Sequence, residues 1–213
     1  MRIAIVGSGL MGGKLGTLWV RCGHEVTFSY ARSSGKLARL ARAAGRRAHA
    51  GSVREAVRAA EVVLLAIHWS RLSDVLAECG PLAGKVVLSC SLSMNKADTA
   101  LVSKRGSSGA EALAQRLPRA RVVSAFNTVP SEVLFDVFAR RAAVRRPQLL
   151  YCGDHAPSKR RTARLIRELG FEPLDVGPLR MARYTEPFAL LVARLAYEVG
   201  RSPRLAYRFE RLG

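Results

Sequence analysis

Three glycines near the start of the chain have a spacing that can hold a pyrophosphate. Residues 7–12 read Gly-Ser-Gly-Leu-Met-Gly, between an apolar stretch and a stretch of helical periodicity. Gly7 permits a tight turn, Gly9 lets the backbone approach phosphate oxygens, and Gly12 lets the helix pack closely on the strand. Free amides at the start of the helix would then face negative charge. The pattern predicts a dinucleotide site, and a tight turn without a ligand is the alternative.

The turn after the second apolar stretch, residues 25–29, distinguishes between two dinucleotides. An NAD site usually carries an acidic residue about 20 residues beyond the glycines, where it accepts from the ribose 2′-hydroxyl. Residues 29–36 read Ser-Tyr-Ala-Arg-Ser-Ser-Gly-Lys and contain no carboxylate. Guanidinium and hydroxyl donors at a helix start suit a 2′-phosphate instead. NADP is therefore favoured over NAD, with donors from Arg32, Ser33, Ser34 and Lys36. Capping of the next helix by Ser33 or Ser34 is compatible with this role.

The length and composition indicate one α/β domain with a small appendage. The chain has 213 residues, of which 49% are hydrophobic. We find no run of about 18 apolar residues and no signal segment before the first strand, so we expect a cytoplasmic protein without a membrane segment. The four cysteines lack metal-ligand spacing. We therefore expect free thiols in a reducing compartment and no bound metal.

The formal net charge of +19 raises the question of nucleic-acid binding. The arginines are spread over nearly every predicted helix, without aromatic interleaving or a nucleic-acid motif. We therefore expect no nucleic-acid partner. The positive surface would instead concentrate polyanionic cofactors and substrates near the protein.

Apolar stretches alternate with helical periodicity along most of the chain. The predicted strands are residues 1–6, 25–29, 47–50, 61–67, 85–89 and 121–124, and the predicted helices are 14–22, 38–44, 53–60, 72–78 and 109–117. Two mononucleotide-binding halves follow from this alternation, with the strand order 3-2-1-4-5-6. The fold class is therefore α/β, a Rossmann-type doubly wound, mostly parallel sheet with a small C-terminal helical extension.

The remaining residues are expected to extend this sheet. We predict an NADP-binding domain at residues 1–130 and an extension at 131–213 that completes the sheet, the cleft and a subunit interface. The elements predicted in the extension are strands at 148–152 and 172–176, a helix at 159–169, a long helix at 179–199 and a tail at 205–213 folded back on the sheet. The long helix is more apolar than one buried face requires, so it would cover either the cleft or a subunit interface.

Ligands of such sheets bind outside the carboxyl ends of the strands. The three loops expected there are residues 67–70, 89–95 and 125–131, which mix small polar groups with flat or apolar side chains. This mixture suits a planar ring and its carbonyl groups. His68 lies in the first of these loops, where it could polarise a carbonyl or protonate a product. No other catalytic residue stands out.

Several motifs together resemble the NADPH-dependent coenzyme F420 oxidoreductases, a family that includes the reductase domains of eukaryotic membrane metalloreductases. The resemblance covers almost the whole chain. It depends on Gly-Ser-Gly-Leu-Met-Gly at 7–12, Ala-Arg-Ser-Ser at 31–34, Ala-Ile-His-Trp at 66–69, Val-Val-Ser-Ala-Phe-Asn-Thr-Val-Pro at 122–130, Cys-Gly-Asp at 152–154 and Pro-Leu-Asp-Val-Gly-Pro-Leu at 173–179.

The resemblance implies hydride transfer between the nicotinamide of NADP(H) and a deazaflavin (F420) or flavin ring, by proximity and orientation more than by acid–base chemistry. The glycine motif and the resemblance together imply these cofactor-binding residues: Gly7, Ser8, Gly9, Leu10, Met11, Gly12, Tyr30, Arg32, Ser33, Lys36, Ile67, His68, Leu92 and Ser131. Those implied to approach the second ring are Phe126, Asn127, Val129 and Leu205. A homodimer is expected.

Two departures from the family leave the electron acceptor open. The archaeal F420 enzymes that the chain resembles carry His at the position of Asn127 and Pro at the position of His68. Three functions therefore remain: an NADPH:F420 or NADPH:flavin oxidoreductase, a reductase of a small imine or carbonyl compound, and a non-enzymatic NADPH-binding sensor.

Overall fold

One eight-stranded sheet runs through the computed structural model, which describes residues 1–31, 33–200 and 202–212. The strands are β1 (Arg2–Val6), β2 (Glu25–Ser29), β3 (Ala48–Ala50), β4 (Val62–Leu65), β5 (Val86–Ser89), β6 (Arg121–Ala125), β7 (Gln148–Gly153) and β8 (Glu172–Asp175). Their spatial order is β3-β2-β1-β4-β5-β6-β7-β8, and all neighbours are parallel except β6 and β7. The predicted order 3-2-1-4-5-6 and the mostly parallel, Rossmann-type sheet are confirmed.

Helices connect these strands and cover both faces of the sheet. They are α1 (Leu10–Arg21), α2 (Ser34–Ala44), α3 (Val53–Ala59), α4 (Leu72–Cys79), α5 (Gly109–Arg116), α6 (Leu134–Ala139), α7 (Ala156–Glu168) and α8 (Ala182–Arg194). Helix α6 was not predicted, since its six residues are too few to show a clear period. No helix within the described residues is long and apolar enough to cross a bilayer.

The long helix predicted at 179–199 is divided into three pieces. A turn of 3₁₀ helix at Leu179–Met181 precedes α8, and five residues of π-helix, Leu195–Val199, follow it. The tail prediction is correct in outline, because the backbone oxygen of Tyr207 accepts a 2.9 Å hydrogen bond from the amide of Gln148 at the start of β7.

The hydrophobic core has two layers because successive side chains of each buried strand point to opposite faces. On one face Ile3 and Ile5 pack with residues of α1 and α7, and on the other Ala4 and Val6 pack with residues of α3 and α4. Trp19 and Phe126 meet edge to face in the first layer, with ring centroids 5.7 Å apart. Packed helices therefore cover both faces of the sheet, so a ligand can reach the sheet at the loops along its carboxyl edge.

Candidate functional site

The turn between β1 and α1 has space for a ligand at one glycine only. A Cβ on Gly7 would lie 2.2 Å from the carbonyl oxygen of Ala66, and one on Gly12 would lie 2.0 Å from that of Gly7. Gly7 also has a φ of +107°, a conformation that L side chains rarely adopt. A Cβ on Gly9 would meet nothing within 4 Å. Gly7 and Gly12 therefore build the turn, whereas Gly9 presents bare backbone to open space.

Ser8 has a structural role in this turn. Its amide donates to the backbone oxygen of Tyr30 (3.0 Å), and its hydroxyl donates to that of Ser29 (3.0 Å). Both donors of Ser8 are thus used to join the glycine turn to the end of β2. Helix α1 begins next, with Gly9 as its N-cap and no side-chain cap, so its first amides, including those of Leu10 and Met11, are left for a ligand.

The turn after β2 places several predicted residues beside the glycine turn. Tyr30 has a φ of +54°. Ser33 caps α2 by accepting from the amide of Lys36 (3.3 Å), as the sequence allowed. Arg32 lies outside the described residues, and so does the side chain of Ser34. The phenolic oxygen of Tyr30 accepts a 3.1 Å hydrogen bond from Nε of Arg71, a residue that the sequence analysis did not select.

A cavity of about 480 Å³ lies beside the glycine turn, between α1, α2 and α6. Its walls are formed by Ser8, Gly9, Leu10, Gly13, Lys14, Thr17, Lys36, Arg39, Leu40 and Phe135. Three of these residues are basic, and two of them, Lys14 and Arg39, were not predicted. Arg39 follows Lys36 by three residues on α2, and helical spacing could have identified it. The cavity therefore extends the positive surface beside the predicted phosphate site.

A second cleft, of about 290 Å³, joins the glycine turn to the loops after β5 and β6. The predicted residues that line it are Leu10, Met11, Leu92, Asn127, Val129 and Ser131. Its opposite wall comes from α8 and the π-helical turn, namely Ala189, Val192, Ala193 and Tyr197. Of the two positions foreseen for the C-terminal helix, the structure shows the one over the cleft. The subunit interface stays a prediction.

Hydrogen bonds join the two sides of this cleft. The hydroxyl of Tyr197 donates to the Glu132 carboxylate (2.7 Å), which also accepts from Ser131 Oγ (3.3 Å). Nζ of Lys14 donates to the backbone and side-chain oxygens of Ser131 at 3.1 and 3.2 Å. Burial of Glu132 opposes its ionisation, but the hydrogen bonds from Tyr197 and the backbone prevail and hold its pKa below the usual value. Burial and the neighbouring Glu132 raise the pKa of Tyr197. A charged carboxylate therefore fixes the end of the C-terminal helix.

Glu186 fixes the other end of α8. Its carboxylate is buried and accepts hydrogen bonds from the amides of Gly109 and Ala110, both at 2.9 Å, and from Ser93 Oγ at 3.3 Å. These amides open helix α5. Burial raises the pKa of Glu186, and the three hydrogen bonds partly oppose that rise. Glu186 thus ties α8 to α5 and sets the position of the cleft wall.

His68 is held by protein groups on both ring nitrogens. Nδ1 accepts from the amide of Ser70 (3.2 Å) and lies 2.7 Å from its hydroxyl, and Nε2 lies 2.9 Å from Oδ1 of Asp98. His68 lines neither of the two cavities described above. Its observed contacts are those of a cap for the short helical turn at Trp69–Arg71.

Two residues expected near a second ring lie outside the lining of the cleft. Phe126 has a φ of +69°, which turns its side chain away from the cleft, and its ring is fully buried against Trp19. Leu205 is half-buried in the tail and does not line the cleft. Ile67 is also buried, and Ser91 Oγ holds its backbone by donating to its carbonyl oxygen at 2.7 Å. Phe126 and Leu205 therefore do not line the cleft, and their approach to a second ring stays a prediction.

Comparison with known proteins shows which family the first part of the chain resembles. Residues 2–93 match the sequence model of the family described as NADP oxidoreductase, coenzyme F420-dependent. The matched residues include the glycine turn and the turn after β2, and this part of the chain is similar to a family of NADP-dependent oxidoreductases. The resemblance expected from the sequence motifs is thus confirmed.

The chain is also similar in sequence to metalloreductase STEAP3 of Rattus norvegicus. The chain is 31% identical to it over 194 residues, which make up 89% of the chain and 36% of STEAP3. The chain therefore spans about a third of that relative.

Two solved structures show the same fold. A candidate F420-dependent NADP reductase from Arthrobacter sp. FB24 superposes with a TM-score of 0.86 at 22% identity, covering 99% of this chain and 100% of that one. A reductive aminase from Aspergillus terreus, solved in complex with NADPH and ethyl-5-oxohexanoate, has a TM-score of 0.65 at 20% identity, covering 90% and 60%. At these identities the similarity concerns the fold alone.

Proposed function

We propose that the chain binds NADP(H) across the glycine turn and transfers a hydride between its nicotinamide and a flat acceptor ring, a deazaflavin such as F420 or a flavin. The observation that carries the proposal is the cleft of about 290 Å³, in which Leu10 and Met11 of the glycine turn face Asn127, Val129 and the wall of α8. A nicotinamide that extends from the glycine turn would enter this cleft.

The residues present fit a dinucleotide. The open space at Gly9 and the uncapped start of α1 would receive the pyrophosphate. The start of α2, capped by Ser33, and the side chains of Arg32 and Lys36 would receive the 2′-phosphate. Ile67, His68, Leu92 and Ser131 are the proposed contacts near the nicotinamide. Leu92 and Ser131 line the cleft, whereas Ile67 and His68 lie in the loop after β4 outside its lining. Hydrogen bonds hold the His68 ring on Ser70 and Asp98, and we assign it no role as an acid.

Bound NADPH would supply the hydride, and the residues of the cleft would orient the nicotinamide and the acceptor ring. Leu92, Val129 and Val192 give the cleft an apolar lining that excludes water from a stacked ring pair. Asn127 also lines the cleft, and its side-chain nitrogen donates to Ser124 Oγ at 3.3 Å. Its amide oxygen is the group we propose to meet a polar edge of the acceptor. Orientation of two rings is sufficient for direct hydride transfer.

A small imine or carbonyl substrate is the second candidate. It is favoured by Tyr197, which lines the cleft and carries a hydroxyl that donates to Glu132, and by the fold shared with a reductive aminase. That reductive aminase is longer, since the chain covers 60% of it. A non-enzymatic NADPH sensor would bind the dinucleotide without turnover.

Stopped-flow absorbance separates these functions. We expect NADPH oxidation, followed at 340 nm, when F420 or FMN is mixed with the NADPH-loaded protein. Oxidation only with a cyclic imine or a keto ester would favour the second candidate. Tight NADPH binding without oxidation by any of these acceptors would contradict hydride transfer.

We also propose that residues 1–130 are the NADP-binding domain and that residues 131–213 complete the cleft and form a homodimer interface. Exposed apolar side chains on α8 and at the start of the π-helical turn support the second part, namely Tyr184, Leu191 and Leu195. Light scattering coupled to gel filtration tests it, and a monomer at micromolar concentration would contradict it.

A further inference from the structure

The Arg71 side chain reaches along the carboxyl edge of the sheet to a residue that follows a different strand. It follows β4, whereas Tyr30 follows β2, and β1 lies between these two strands. Even so, Nε of Arg71 donates to the Tyr30 hydroxyl at 3.1 Å. The pair therefore spans the end of β1, where the glycine turn begins.

Other contacts within the protein hold both Tyr30 and Arg71 in place. The backbone oxygen of Tyr30 accepts from the amide of Ser8, and its ring packs on the apolar layer under α3 and α4. A terminal nitrogen of Arg71 lies 3.5 Å from the Asp74 carboxylate. The Arg71 side chain nevertheless keeps 59% of its surface exposed, so the guanidinium is held by two protein groups and is still accessible to a ligand.

We propose that Arg71 and Tyr30 form one wall of the adenine pocket, with the Arg71 guanidinium stacked on the face of the purine ring. The inference rests on the proposed function, because it places the adenosine of NADP(H) against the Arg71–Tyr30 pair, which joins the loops after β2 and β4. An exposed guanidinium held by a hydroxyl suits stacking on a flat, uncharged, nitrogen-rich ring. Arg32, by contrast, is proposed to bind the 2′-phosphate.

This division of roles makes the two arginines separable by titration. Arg71→Ala should lower the affinities for NADPH, NADH, 2′,5′-ADP and 5′-AMP by a similar factor of about ten, since all four ligands contain adenine. Arg71→Lys keeps the charge but not the plane, so it should show most of the same loss. Nicotinamide mononucleotide, which lacks adenine, should bind both variants as it binds the wild type.

Two further variants serve as controls. Arg121→Ala removes an exposed arginine at the first position of β6, at the opposite edge of the sheet, and should change no affinity. Tyr30→Phe keeps the packed ring but removes the hydroxyl that holds the Arg71 guanidinium. It should therefore lower the affinities for the four adenine ligands by about two- to threefold. Thermal melting of each variant shows that the fold is retained.

The outcomes separate this inference from the proposed function. If the wild type binds NADPH and Arg71→Ala binds all four ligands with unchanged affinity, the assignment of Arg71 to the adenine pocket is wrong, and the proposed function is not affected. A loss confined to NADPH and 2′,5′-ADP would also overturn it, because Arg71 would then bind the phosphate. If the wild type binds none of these nucleotides, the proposed function fails first.

Discussion

The Tyr197 hydroxyl donates a 2.7 Å hydrogen bond to Glu132 and thereby joins the end of the C-terminal helix to the loop after β6. Tyr197 lies in the π-helical turn that lines the cleft, and π-helical turns occur frequently at functional sites. This contact and the Glu186 cap hold α8 at both ends, so the wall of the cleft is fixed before a ligand arrives.

Removal of the Tyr197 hydroxyl should loosen this wall. We expect Tyr197→Phe to raise KM for the acceptor about three- to tenfold with little change in NADPH affinity, because one charge-assisted hydrogen bond is lost. Steady-state kinetics measure both quantities. Tyr184→Phe is the matched control: it keeps the exposed ring that the proposed subunit interface would use and removes only a hydroxyl outside the cleft, so it should change neither quantity. An equal response of the two variants would argue against the wall.

The glycine turn offers a matched pair of substitutions. Gly9→Ala should fold normally, since its added methyl meets nothing within 4 Å, but should weaken NADPH binding at least about tenfold by obstructing the pyrophosphate. Gly12→Ala should lower the free energy of unfolding by about 1–3 kcal/mol, because its methyl would lie 2.0 Å from the Gly7 carbonyl oxygen. Thermal melting and fluorescence titration of both variants decide this. Unchanged NADPH affinity in Gly9→Ala would place the phosphates elsewhere.

The Glu186 cap should matter for stability. Glu186→Ala leaves the amides of Gly109 and Ala110 buried without an acceptor, so we expect a loss of about 2–4 kcal/mol in the free energy of unfolding. Glu186→Gln keeps one acceptor oxygen and should lose less. Urea unfolding compares the two variants. If Gln is as damaging as Ala, the carboxylate charge rather than the cap is what stabilises α5.

Acid should weaken the contact between α5 and α8 through Glu111. The hydrogen bond from Arg183, aided by Ser108, lowers the pKa of Glu111 in the folded protein. A lowered folded pKa gives stability that is present above the unfolded pKa, near 4.5, and is lost as pH falls through the folded value. Because 42% of the Arg183 side chain is exposed and solvent screens the ion pair, we expect it to contribute only about 0.5–1 kcal/mol to the free energy of unfolding. Glu111→Gln should remove this part of the pH dependence, as urea unfolding between pH 3 and pH 7 would show. The same slope in both proteins would contradict it.

The sequence predicted the sheet well because each buried strand is a local apolar run, and it predicted the glycine turn because one short motif contains it. It could not predict that Phe126 turns into the core, since this depends on a positive φ and on the distant Trp19. Arg71 was missed for a similar reason, because its partner Tyr30 lies 41 residues away. The cleft wall on α8 likewise depends on how Glu186 meets α5, which no local pattern encodes.

The most direct test of the account is the affinity of the wild-type chain for NADPH and NADH, measured by calorimetric titration beside Arg32→Ala. We predict that NADPH binds the wild type at least about tenfold more tightly than NADH and that Arg32→Ala removes most of this preference, because a guanidinium pairs with a 2′-phosphate and not with a hydroxyl. Equal affinities in the wild type, or equal losses of both nucleotides in Arg32→Ala, would contradict the assignment of NADP(H) to this site.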